Sequence, residues 1–124
     1  MRLFTLEEAN QLLPNARELV VKIKMLHGYT SFFKEEAQKA AMQAEHGGGM
    51  VSGSKYVNSL YEIGKLSSEL DELGIQLKDY EQGLIDFPSM RNGRIVLLCW
   101  KLDEGDEILW WHDLDSGFAG RQPI

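Results

Sequence analysis

Apolar and polar positions follow two rhythms along this chain, and the change between them falls near Gly74. Before Gly74 the apolar residues recur every three or four positions, which is the period of a helix packed on one face. "FTLEEANQLLPNARELV" opens with Thr5 and Glu8 in the S/T-x-x-E spacing of a capping box, so a helix is expected to start there. Pro14 lacks an N–H and crowds the preceding turn. It predicts a short helix ending near Leu12 and a second helix carrying Pro14 in its first turn, or else one kinked helix.

Ala16, Leu19, Ile23, Leu26, Thr30, Phe33, Ala37, Ala40 and Ala44 then alternate three- and four-residue steps, a seam of heptads. Lys22, Lys24, Lys34, Glu35, Glu36 and Lys39 fall off that seam and form a solvated face. Three consecutive glycines in "HGGGMVSGSK" end the helix, because glycine gains least from a helical conformation. The next helix carries Ile63, Leu66, Leu70 and Leu73, and Gly74 stands where a left-handed cap belongs. Two long helices joined by a short turn make an antiparallel hairpin.

After Gly74 the period shortens. "GIQLKDYEQGLIDFP" reads as two short segments around an acidic turn. Arg94–Leu102 and Glu107–His112 read as a strand hairpin around "DEGDE". Alternation places Ile108, Trp110 and His112 on one face and Leu109, Trp111 and Asp113 on the other. At least one of Trp110 and Trp111 therefore lies away from the helix-packed core, at an interface or a pocket. The run Ile95–Trp100 is apolar on both faces, so it is expected to be central and covered twice, with a second subunit supplying one cover.

The fold expected is α+β: a long antiparallel helical hairpin followed by a small sheet of three or four antiparallel strands. It is one domain, with helices over 1–46, a glycine-rich connection over 47–55 and a helix over 56–74. Strands follow over 75–112 and a C-terminal strap over 113–124. A length of 124 residues fits one domain with a real core.

Charge and chemistry narrow the classes further. The formal charge is −6 and the charges are well mixed, which argues against a nucleic-acid binder, since phosphate contacts need a basic face. No run approaches the roughly 18 apolar residues of a membrane span, and "MRLFTLEEAN" lacks the apolar stretch of a signal peptide. Cys99 is the one cysteine, so no internal disulfide forms. Inside an apolar strand it reads as a small core residue. These features point to a cytoplasmic location.

"GGMVSGSK", Gly48 to Lys55, resembles a phosphate-binding loop only loosely. Its lysine falls one place late and no strand leads into it, so it reads as a plain helix connection and no cofactor is expected. Imidazole and carboxylate suit a transition metal, and His112 with Asp115 is the candidate pair, with Glu107 or Asp86 as further donors. Arg91, Arg94 and Arg121 lie among aspartates in the last third of the chain. Their planar forks match carboxylate or phosphate. The first expectation is internal pairing, for example Arg121 with Asp115, Asp86 or the terminal carboxylate. The second is a site for a small anionic ligand.

"FTLEEANQLLP", "GIQLKDYEQGLIDFP", "VLLCW" and "WWHDLDSGFAGRQPI" together resemble an uncharacterised family of small bacterial proteins, domain of unknown function family 2203. The likeness spans nearly the whole chain, and "WH" followed by "GFAGR" is its specific part. The resemblance implies a cytoplasmic bacterial protein. It also implies that Lys78, Asp79, Asp86, Arg94, His112, Gly117, Gly120 and Arg121 recur, and it implies no activity.

Two functions remain. One is a non-enzymatic, self-associating or protein-interaction module, most simply a homodimer. The other is a hydrolase-type or metal-dependent site at the sheet end, built from Asp86, Arg94, His112, Asp115 and Arg121, with His112 as base or metal ligand. No nucleophile with an adjacent base is visible, so the first leads. The terminal "DLDSGFAGRQPI" is expected to be a strap held by Phe118 and Arg121.

Overall fold

A computed structural model describes residues 1–43 and 50–124. Helix α1 runs from Leu6 to Met42 and helix α2 from Met50 to Glu72. Five strands follow: β1 Gln76–Asp79, β2 Leu84–Arg91, β3 Arg94–Trp100, β4 Trp110–Asp113 and β5 Gln122–Pro123. They form one antiparallel sheet in sequential order, one or two strands more than the pattern predicted.

The capping box at the start of α1 forms as its spacing required. Thr5 Oγ1 accepts from the Glu8 amide at 3.1 Å, and Glu8 Oε1 accepts from the Thr5 amide at 2.8 Å. The Thr5 backbone hydrogen bond holds the Glu8 carboxyl below its ordinary range. Of the two solutions read at Pro14, α1 takes the single helix, with the proline inside it and exposed. The lost hydrogen bond is outweighed because Ala9, Leu13, Ala16 and Val20 bury one continuous apolar face across the proline. Burying a side chain the size of Leu13 or Val20 contributes ~1.5–3 kcal/mol.

The seam packs inside the chain. Ala16, Ile23 and Thr30 are buried, Leu19 and Leu66 pack on the same core, and Thr30 Oγ1 donates to Ser59 Oγ of α2 at 2.9 Å. Ala44 and His46 lie outside the described residues. So do Gly47, Gly48 and Gly49 of the glycine-rich connection, while Met50–Lys55 belong to α2, which starts earlier than expected. At its far end, Gly74 has φ 88° and the Ile75 amide donates back to the Leu70 carbonyl at 3.0 Å, so the left-handed cap is present.

The tightest hairpin joins β2 to β3 through Asn92 (φ 49°) and Gly93 (φ 76°). An Asn-Gly pair supplies the two positive φ values that a two-residue hairpin turn requires. That signal lies in the sequence itself. The expected β3–β4 hairpin also forms. Its second strand is only Trp110–Asp113, and Ile108 is tied instead to α1, its amide donating to Asn10 Oδ1 at 2.9 Å.

Strand alternation divides the sheet. Phe87, Val96, Leu98, Trp100 and Trp111 share a face with Ala9, Leu13, Val20 and Ile23 in one helix-covered core. The opposite face carries Asp86, Pro88, Leu97, Cys99, Trp110 and His112. Both faces of β3 are buried within a single chain, so the central strand needs no second subunit to cover it.

Candidate functional site

The second face of the sheet is where polar chemistry is buried. Registry sets it up: Asp86 on β2 lies opposite Cys99 on β3, and Cys99 lies opposite Trp110 on β4. His112, two residues beyond Trp110, lies opposite Leu97 and reaches across β3. Its Nε2 is 3.1 Å from Asp86 Oδ2, with both side chains at most 4% exposed. Its Nδ1 lies 2.8 Å from the Asp113 carbonyl, which can only accept, so Nδ1 carries a proton. Lys78 Nζ stands 4.0 Å from Asp86 Oδ2 at the rim. Asp86 Oδ1 is buried and has no hydrogen-bond partner among the described residues.

Donor atoms of Asp86, Cys99 and His112 all lie within 4.8 Å of one another. An aspartate, a histidine and a thiol suggest a cysteine nucleophile, but the geometry is wrong for one. The histidine nitrogen that would serve as base faces Asp86, and its other nitrogen faces a carbonyl. Burial, aided by the Asp86 carboxylate, pushes the Cys99 thiol up to about 12, whereas an attacking cysteine needs a depressed value.

Arg121 closes this face. Its Nη1 and Nη2 donate to Glu104 Oε1 and Oε2 at 2.8 and 2.7 Å, a bidentate pair with both side chains about one-tenth exposed. These hydrogen bonds raise the guanidinium pKa, with burial opposing them. The same group lies over Phe118 at 4.3 Å and Trp110 at 4.9 Å, and Nη1 is 3.8 Å from Cys99 Sγ. The strap bends at Gly117 (φ 62°) and passes so closely at Gly120 that a Cβ there would meet Ser116 at 2.6 Å. It ends with the Ile124 amide donating to the Leu109 carbonyl at 3.0 Å.

The five candidate residues are therefore divided. Asp86, His112 and Arg121 converge around Cys99. Arg94 shares the helix side of the sheet with Val96, and its Nε pairs with Asp113 Oδ1 at 2.9 Å. Asp115 is exposed in the turn after β4 and is not among the converging donors, so it does not complete a metal pair with His112. Arg121 chooses Glu104, not Asp115, Asp86 or the terminal carboxylate, and its fork is thereby occupied. Cys99 and Glu104 were missed as members of this group. Cys99 looks like core by composition, and Glu104 sits in "DEGDE", where only a turn was legible.

Trp110 and Trp111 divide as the alternation predicted, Trp111 in the helix-packed core and Trp110 beneath Arg121. Among the described residues, no helix is long and apolar enough to cross a membrane.

No curated protein and no solved structure matches this chain. The family described as "Uncharacterized conserved protein (DUF2203)" matches residues 2–124. The match covers both helices, all five strands and the buried Asp86–His112 pair, and by it this chain belongs to that family.

Proposed function

We propose that this chain is a self-associating, non-enzymatic module in which two copies pair along α1. One observation carries the reading: α1 has a second stripe, separate from the seam that meets α2. Glu18, Val21, Met25, Gly28, Phe32, Glu35 and Lys39 follow a three–four spacing, and all are exposed. Val21, Met25 and Phe32 are each about half exposed, which is unusual for three large apolar side chains in a row on one helix face.

The stripe is complementary to itself when reversed. A dyad beside Gly28 would set Met25 of one copy against Phe32 of the other, and Glu18 against Lys39. Lys22 would meet the Glu35–Glu36 end. A two-fold interface requires this property, because one surface must serve as both partners. Gly28 adds no side chain, and a Cβ there would touch nothing, so helix backbones can approach closely at the centre. Lys39 contacts Glu36 of its own helix at 3.7 Å and is 71% exposed, so it is free to exchange that weak pair for Glu18 of a second copy.

The sheet-end alternative has less support, since the guanidinium that would hold an anion is already paired. The test is sedimentation or light scattering on the tag-free protein, with Met25→Glu beside it. A dimer at micromolar concentration that Met25→Glu converts to a folded monomer is the expected result. A wild type that stays monomeric to high micromolar concentration rules the reading out.

A further inference from the structure

We propose that Asp86, Cys99 and His112 bind one divalent transition-metal ion, zinc by the chemistry of its donors. The inference is independent of self-association, since the three residues lie on the sheet and not on α1.

Four features point the same way. The first is donor type: a thiol, an imidazole and a carboxylate are a set that selects zinc, cobalt or iron over magnesium or calcium. The second is orientation. Metal-bound histidines characteristically donate their remaining N–H to a carbonyl or carboxylate. His112 Nδ1 faces the Asp113 carbonyl at 2.8 Å, which leaves Nε2 as the ligating nitrogen. The third is an unsatisfied group. Asp86 Oδ1 is buried with no partner among the described residues, on a side chain only 2% exposed, and such an orphan acceptor is costly unless something binds it.

The fourth is size and charge. Donors on a tetrahedral zinc lie ~3.3–3.8 Å apart, given metal–ligand bonds of ~2.0–2.3 Å. His112 Nε2 and Asp86 Oδ2 stand 3.1 Å apart, and the widest separation in the group is within 4.8 Å. A side-chain shift of ~1 Å closes that gap. With a thiolate, a carboxylate and a neutral imidazole, the dication makes a neutral unit, the form in which ionic groups tolerate burial.

The metal accepts electron pairs from Cys99 Sγ, Asp86 and His112 Nε2. Two protons leave to solvent: the thiol proton, and the one held between His112 Nε2 and Asp86 Oδ2 in the metal-free protein. No electron is transferred. Arg121 Nη1, 3.8 Å from the sulfur, then faces a thiolate and helps to hold it. Three protein donors leave a fourth position for water or an exogenous ligand.

The experiment uses tag-free, full-length protein stripped with a chelator and titrated with cobalt(II), then with zinc. The expected result is a thiolate-to-cobalt charge-transfer band in the near ultraviolet that saturates at one ion per chain and is displaced by zinc. Cys99→Ser should abolish the band, and His112→Ala should weaken cobalt binding at least ten-fold. Asp86→Asn supplies a third reading should either variant fail to fold, and it should weaken binding similarly. Absence of the band in the stripped wild type, or its persistence in Cys99→Ser, overturns the site.

Discussion

Arg121 makes its ion pair with Glu104, 17 residues away in sequence, and not with the aspartates of the strap's own turn. The bidentate pair with Glu104 ties the strap to the turn after β3, while the ring of Trp110 supports the guanidinium from the sheet. Both charged groups are largely withdrawn from water, so removing one leaves the other buried without its partner. Breaking a fully buried pair costs ~3–5 kcal/mol and an exposed one costs under ~1. At about one-tenth exposure, Arg121→Gln should cost ~2–3 kcal/mol in urea unfolding, and Glu104→Gln a similar amount. The double variant should cost well under the sum of the two. Additive losses would show that the two side chains act independently. That Arg121 pins the strap was legible from its residue type. Its partner was not, because Glu104 is one of several acids in a turn whose position depends on the β3–β4 registry.

At the scale of the element, the chain's periodicity was informative where burial is one-sided. The heptad seam of α1, the helix of α2 and the cap at Gly74 follow from spacing and one glycine. Where local chemistry competes with packing, the local signal alone misleads. Pro14 argues for a break, yet Ala9, Leu13, Ala16 and Val20 hold one helix through it by packing on the sheet. Pro14 therefore costs a backbone hydrogen bond within an otherwise continuous helix and gains no packing, since it is exposed. Pro14→Ala should raise stability by ~1–3 kcal/mol, measured by urea or thermal unfolding. An unchanged or lower stability would mean that the proline fixes a bend the sheet requires. Registry was the other blind spot. Asp86, Cys99 and His112 are 13 residues apart in succession, and only the Asn92-Gly93 turn together with strand pairing brings them to one face.

For the whole molecule, Val96 to Trp100 of β3 are buried on both faces within one chain, so a second copy would meet α1 and not the central strand. The self-association proposed there would have an electrostatic signature that distinguishes it from nonspecific sticking of apolar surface. In the proposed antiparallel pairing Glu18 would meet Lys39 twice, once on each side of the dyad. Each exposed pair is worth ~0.2–1 kcal/mol. Glu18→Lys removes two attractions and places lysine against lysine at both ends, a loss of ~1–2 kcal/mol and about a ten-fold weaker dimer. Adding Lys39→Glu reverses both charges and should restore most of the affinity, because each end again pairs opposite signs. The loss in Glu18→Lys should shrink as ionic strength rises, since the screening length falls to ~3 Å at 1 M salt. Sedimentation of the wild type, the single variant and the double variant at low and high salt checks all three expectations. If the double variant dimerises no better than the single, Glu18 and Lys39 are not opposed, and the two copies do not meet antiparallel about Gly28.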